Sequence, residues 1–159
     1  MSGLKTDKNF CLMLTLTIKF TTMEPIKLEI TILKPVEKVW EYFTQAEHIM
    51  QWNFANETYT CPKAKNDLQV GGEFNYRMEA KDQSFGYDFT GTYDEITPLE
   101  KIKYHFKDGR QVEVIFEKID GNTTKVTEIF EPDLEQPAEM QRESWYAILD
   151  NFHKYVENN

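Results

Sequence analysis

Cysteine is scarce in this 159-residue chain: Cys11 and Cys61 are the only two, with no CxxC and no Cys/His spacing between them. A structural zinc site is therefore not expected. Two free thiols of a cytoplasmic protein are favoured over a disulfide, which needs an oxidising compartment. Positive charge is also short. The 18 Lys and Arg face 27 Asp and Glu, for a net charge of -9. Phosphate recognition relies on clustered cations, so neither nucleic acid nor an anionic membrane surface is an expected partner. The histidines, His48, His105 and His153, have no second ligand at a metal-binding spacing, and structural or surface roles are favoured for all three. Ser84 and Ser144 lie outside any GxSxG, and Cys61 precedes Pro62 without a catalytic partner. Gly71-Gly72 precedes a strand and lacks the Lys-Ser/Thr of a phosphate-binding loop, which leaves a tight turn or bulge. No catalytic residue, cofactor or metal is implied. The apolar stretch Cys11 to Ile18 contains Thr15 and Thr17, is too short for a bilayer, and ends without a small-x-small cleavage site.

What the chain does have is aromatic side chains: eleven Phe, eight Tyr and three Trp, in a composition 40% hydrophobic and 28% charged. That balance belongs to a globular domain, and the length suits one domain with a continuous core. A surplus of rings fits either a bulky core or the lining of an apolar cavity.

Residues 1–22 stand apart, mildly basic through Lys5, Lys8 and Lys19. They read either as an extra strand or, the favoured reading, as an extension ahead of a domain spanning 23–159. From Ile26 the pattern is that of a half-buried strand, with Ile26, Leu28, Ile30 and Ile32 on one face. Pro35 opens a helix carrying Val36, Val39, Trp40 and Phe43 at helical spacing. A second short helix is expected over Glu47 to Trp52, followed by a loop. Alternating runs then follow at Phe74–Met78, Tyr87–Tyr93, Ile102–Phe106 and Val112–Phe116, with a last strand from Thr123 to Phe130. Asp108-Gly109 and Asp120-Gly121-Asn122 mark hairpin turns, so the strands form an antiparallel meander. Its apolar face needs a cover. A helix from Pro137 to Val156 supplies one, with Trp145, Ile148, Leu149, Phe152, Tyr155 and Val156 in an i, i+3, i+4, i+7 stripe. The fold class is α+β: a curved antiparallel sheet around a long C-terminal helix, with two short helices after the first strand.

Several of these stretches resemble a known superfamily. They are Lys34-Pro35-Val36-Glu37-Lys38-Val39-Trp40, the His48…Gln51-Trp52 segment, Asp67 through Met78, Gly91-Thr92-Tyr93-Asp94-Glu95-Ile96-Thr97-Pro98, and Trp145 through Phe152. Together they look like the SRPBCC/START-like superfamily. More narrowly they are similar to homologues of the C-terminal domain of the activator of the ninety-kilodalton heat-shock chaperone ATPase. The resemblance implies a helix-grip fold with a cavity between the sheet and the last helix, where relatives hold lipids, hormones or polyketides.

On that basis Trp52, Phe54, Tyr76, Met78, Tyr87, Phe89, Trp145 and Leu149 are the candidate cavity residues, with Trp145 and Leu149 foremost. Glu128 joins them as the one carboxylate that a cavity would make chemically distinctive. Alternation in its strand is broken, however, and a solvent-facing Glu128 is the favoured reading. The expected function is a binding module for a small hydrophobic or aromatic molecule, and a pocket of about 300 Å³ or more would favour it. Modulation of a chaperone ATPase through a protein contact is the alternative. An enzyme using Glu128 or a cavity tyrosine as acid or base is the third. Monomer and homodimer remain open.

Overall fold

A computed structural model describes residues 23–159. The expectations for residues 1–22, Cys11 included, lie outside the described residues. The chain runs β1 (Ile26–Ile32), α1 (Val36–Thr44), α2 (Ala46–Trp52), β2 (Tyr59–Asn66), β3 (Glu73–Ala80), β4 (Gly86–Thr97), β5 (Lys101–His105), β6 (Gln111–Asp120), β7 (Thr123–Phe130) and α3 (Ala138–Glu157). The described strands form one antiparallel sheet in the order β1-β7-β6-β5-β4-β3-β2. Neighbours in sequence are neighbours in space from β2 to β7, as short turns dictate. The exception is β1, which crosses to the far edge and pairs with β7 from Ile26↔Phe130 to Ile32↔Thr124.

Strand alternation places one apolar face inward. Phe74, Tyr76 and Met78 of β3, Tyr93 of β4, Ile102 and Tyr104 of β5, and Val112, Val114 and Phe116 of β6 are all buried. Gly91 of β4 belongs to this face for a packing reason. A Cβ there would stand 2.5 Å from Phe74 Cζ and 3.1 Å from Tyr104 Cδ2. Only a glycine lets those two rings meet edge to face, with centroids 4.9 Å apart. Gly71, at φ +82°, and Gly72, whose Cβ would lie 2.2 Å from the Asp67 carbonyl oxygen, make the tight turn expected before β3.

The segment beyond α2, expected as a loop, contains an edge strand. β2 reads Tyr-Thr-Cys-Pro-Lys-Ala-Lys-Asn, with little apolar alternation and a proline inside it. Its pairing with β3 shifts between Thr60 and Lys63, so Cys61 and Pro62 sit in the irregularity. An edge strand tolerates a residue without an N–H, and a bulge accommodates it. Propensity pointed to a loop, and pairing with a strongly alternating neighbour made a strand.

Pro35 and Pro137 occupy the N-cap positions of α1 and α3, one residue ahead of the first turn. The α3 stripe is buried at Leu149, Phe152 and Val156, and Trp145, Ile148 and Tyr155 are half-buried. Three polar ties fix this helix to the rest. Arg142 Nη1 donates to the Lys27 carbonyl at 3.3 Å, Asn151 Nδ2 to the Trp52 carbonyl at 2.8 Å, and the Leu33 N–H to Glu157 Oε1 at 2.7 Å. They hold the N-terminal turns, the middle and the C-terminal end of α3 against β1, α2 and the turn that leaves β1. No helix of the described residues is long and apolar enough to cross a membrane.

Candidate functional site

β7 decides the character of the interior. Thr124, Val126, Glu128 and Phe130 are buried on one face, Lys125 and Ile129 on the other are only half-buried, and Thr127 between them is buried as well. Glu128 therefore follows the period of two, paired across from the buried Leu28 of β1 and Val114 of β6. The favoured expectation of a solvent-facing Glu128 is corrected: the side chain is 9% exposed, and it lines an internal cavity. The alternation looked broken because polar Thr124 and Glu128 stand where apolar residues belong, with Ile129 turned outward.

The cavity, about 130 Å³, lies between the concave face of the sheet and the helices. It is smaller than the 300 Å³ expected of a roomy pocket, because rings occupy much of the enclosed space. β3 contributes Phe74, Tyr76 and Met78; β4 contributes Tyr87, Phe89 and Tyr93; β5 contributes Ile102 and Tyr104. Phe43 and Thr44 of α1 and Trp52 of α2 close one side, and Ser144, Trp145 and Ile148 of α3 close another. Trp145 is clamped by stacking on Phe130 (centroids 4.0 Å apart) and by edge contacts with Phe89 and Phe106. Tyr87, Phe89 and Trp145 also border an open groove outside, lined by Phe106, Arg110 and Gln141, so these rings separate the cavity from the surface.

Polar groups inside are few, and several are tied to the backbone or to one another. Trp52 Nε1 donates to the Tyr42 carbonyl at 2.9 Å, and Asn53 Nδ2 approaches Met78 Sδ at 3.3 Å. The Tyr76 hydroxyl is directed at that of Tyr93, which donates to Asn66 Oδ1; Asn66 in turn donates to the Thr44 carbonyl. Burial pushes the Tyr93 phenol up to about 12 and those of Tyr76 and Tyr104 well above the ordinary range, so all three stay protonated. Burial also raises the Glu128 carboxyl from 4.5 to about 8. Its cause is desolvation alone, since no hydrogen bond or ion pair reaches that carboxyl among the described residues. At neutral pH it is mostly a neutral acid, able to donate one hydrogen bond or to ionise against a cation.

Of the residues singled out in the sequence, Trp52, Tyr76, Met78, Tyr87, Phe89, Glu128 and Trp145 are brought together around this space. Leu149 and Phe54 are not. Leu149 follows the cavity-lining Ile148 by one position, about 100° further around the helix, and is buried in the solid core with Phe152. Phe54 lies past the end of α2, half-buried, with its carbonyl accepting from Asn151 Nδ2. Phe74, Tyr93 and Tyr104 were missed as lining residues, although their alternation with the named rings placed them on the same face. Ser144, beside Trp145 on α3, gave no such signal.

The histidines are held structurally. His48 Nδ1 lies 2.8 Å from the Tyr155 hydroxyl, and its ring stacks on Tyr42. His105 pairs with Asp94 on the exposed face, and His153 with Glu157 near the end of α3.

With the sheet, the last helix and the cavity in place, comparison with known proteins is decisive. Residues 34–157 match the family described as Activator of Hsp90 ATPase homolog 1-like protein. The chain belongs to that family, within the SRPBCC superfamily. The AHSA1-like protein of Aeromonas hydrophila is 36% identical and superposes with a TM-score of 0.77, covering 84% of this chain and 93% of its own. A Cytophaga hutchinsonii protein is 41% identical, with a TM-score of 0.73 and coverage of 85% and 93%. One from Chromobacterium violaceum shares the fold at 21% identity, with a TM-score of 0.75 and coverage of 86% and 100%. No curated protein matches this chain.

Proposed function

We propose that this member of the AHSA1-like family is a cytoplasmic binding module for a compact, mostly apolar small molecule, held between the sheet and α3 with Glu128 as its polar anchor. One observation carries the reading: a buried carboxyl without a partner faces a cavity walled by aromatic rings. A cavity of about 130 Å³ is on the scale of one benzene ring, because engineered protein cavities of about 150 Å³ take up benzene. The occupant is thus a single ring or a short branched chain rather than a lipid or polyketide. A chaperone-directed role has family membership behind it and no particular surface, so the cavity is the better-supported site. Acid catalysis by Glu128 is the second reading. Its raised pKa suits a general acid near neutrality, but no second carboxyl, His or Lys lines the cavity to act as its basic partner.

A thermal-shift and tryptophan-fluorescence screen of single-ring compounds tests the proposal, with Trp52 and Trp145 as built-in reporters. A ligand that binds only the native state at about one hundred times its Kd stabilises it by about 2.7 kcal/mol. A screen in which no compound of this size moves either signal would overturn the reading.

A further inference from the structure

The wall of the cavity carries charge in one place. Glu128 is its single acid, and no Lys, Arg or His is among the lining side chains. The elements packed around that carboxyl supply nothing else that titrates near neutrality. Leu28 of β1 and Val114 of β6 flank it, and the Tyr104 phenol of β5 lies near it. Tyr76 and Tyr93 line the same cavity with their hydroxyls turned to each other and to Asn66, and the lining residues of α1, α2 and α3 are uncharged.

Three classes of occupant meet this wall differently. An anion would find a carboxyl and the negative faces of aromatic rings, with no cation to receive it. A neutral hydrocarbon would fill the space and leave the carboxyl without a partner. A protonated amine on a small ring answers both features. Its N–H groups donate to the carboxylate in charge-assisted hydrogen bonds, and its charge is enclosed by a wall of aromatic rings that includes Phe74, Tyr104 and Trp145. The chain's net charge of -9 also raises the local concentration of cations.

We propose that the cavity is a site for a small ring-bearing amine, bound as its ammonium ion, with Glu128 as counter-ion and the aromatic wall around the cation. This rests on the reading of the cavity as a ligand site and names the chemical class of the ligand. Binding then carries a defined proton balance. The amine enters protonated, the neutral Glu128 carboxyl ionises, and one proton leaves to solvent for each ligand bound below about pH 8.

The test uses the full chain with benzylamine, benzyl alcohol and benzoate, by titration calorimetry at pH 6 and pH 7 in buffers of different ionisation enthalpy. Benzylamine should tighten about tenfold from pH 6 to pH 7 and release close to one proton. Benzyl alcohol should bind more weakly with no pH dependence in that range, and benzoate should not bind. Glu128→Gln should weaken benzylamine at least tenfold and benzyl alcohol by much less. Should that variant not fold, the pH profile and proton release of the natural chain decide the matter. Benzyl alcohol binding as tightly as benzylamine at pH 7, without proton release, would overturn the amine assignment and leave the ligand site standing. Absence of binding by all three would overturn both.

Discussion

Replacing Glu128 by Gln keeps the shape of the side chain and removes its ionisation, so its effect on stability depends on pH in a way that can be worked out. Burial holds the folded-state carboxyl near 8, against 4.5 in the unfolded chain. Below 4.5 both states carry the proton and ionisation costs nothing. Between 4.5 and 8 the unfolded chain ionises and the folded one does not, so the folded state loses stability as pH rises. Each pH unit costs about 1.4 kcal/mol. The full span of about 3.5 units comes to an order of 5 kcal/mol, more than half of it already lost at pH 7. Above 8 both states are ionised and the difference stops growing.

Urea denaturation followed by tryptophan fluorescence at pH 5, 6, 7 and 8 measures this directly. Carboxylates held below their usual range by partners, such as Glu95 by Lys101 and Asp108 by the Arg110 N–H, act in the opposite sense. They contribute stability that is lost in acid, and they are common to both proteins. Subtracting natural chain from variant removes them. The Glu128→Gln protein should gain on the natural one steadily from pH 5 to pH 8, through a shift in midpoint without a change in slope. A difference that stays flat across that range would refute the buried neutral carboxyl and everything built on it.

Gly91→Ala should destabilise by about 1–3 kcal/mol, since the new Cβ meets the Phe74 ring at 2.5 Å; the displaced ring should also abolish binding of a single-ring ligand, as calorimetry would show. Leu149→Ala should cost about 2–5 kcal/mol in urea denaturation with ligand affinity unaltered, because Leu149 belongs to the solid core and not to the cavity wall. Glu157→Ala should cost about 1–2 kcal/mol at pH 7 and nothing in acid. The Leu33 N–H and then His153 hold that carboxyl below its usual range, so its contribution is lost as pH falls through the folded-state value. Hydrogen exchange at the Leu33 amide, faster in the variant at pH 7, would check the cause.

The parts of this fold that were legible in the sequence share one property: their side chains obey a single period. β1, β3, β5 and β6 alternate cleanly, and α3 carries an unbroken stripe, so their faces could be assigned from residues alone. β2 could not, because its polar residues and Pro62 are acceptable only at an edge, and edge position is a property of the whole sheet. The cavity was half legible. Rings on the inward face follow from alternation, but whether they meet or leave a gap depends on the distance at which α3 is held. That distance is set by contacts between distant residues, Arg142 with Lys27 and Asn151 with Trp52. Glu128 was misread by weighing its own polarity above its register. Val126 and Phe130, two positions to either side, point inward and carry residue 128 with them. In a strand the neighbours at i−2 and i+2 are the better witnesses.

That misreading also shows why Glu128 bears on function. Nothing in the fold requires an acid there. The positions across from it are Leu28 and Val114, and a leucine at 128 would fill part of the cavity and remove a desolvation cost on the order of 5 kcal/mol at alkaline pH. An unfilled space of about 130 Å³ would cost about 3 kcal/mol more, at roughly 24 cal/mol per Å³. Domains of this size are stable by only about 5–15 kcal/mol. Two costs of that magnitude fall at one place, in a core that elsewhere packs ring against ring. Consistency of pattern with structure holds along the rest of the sheet and fails at this residue and the space before it. Such a local failure marks a position shaped for a task other than folding. The variant Glu128→Leu should therefore be more stable than the natural chain above pH 6 and should hold a small-ring amine at least tenfold more weakly. A leucine variant that lost stability at pH 8 would show that the carboxyl serves the fold after all.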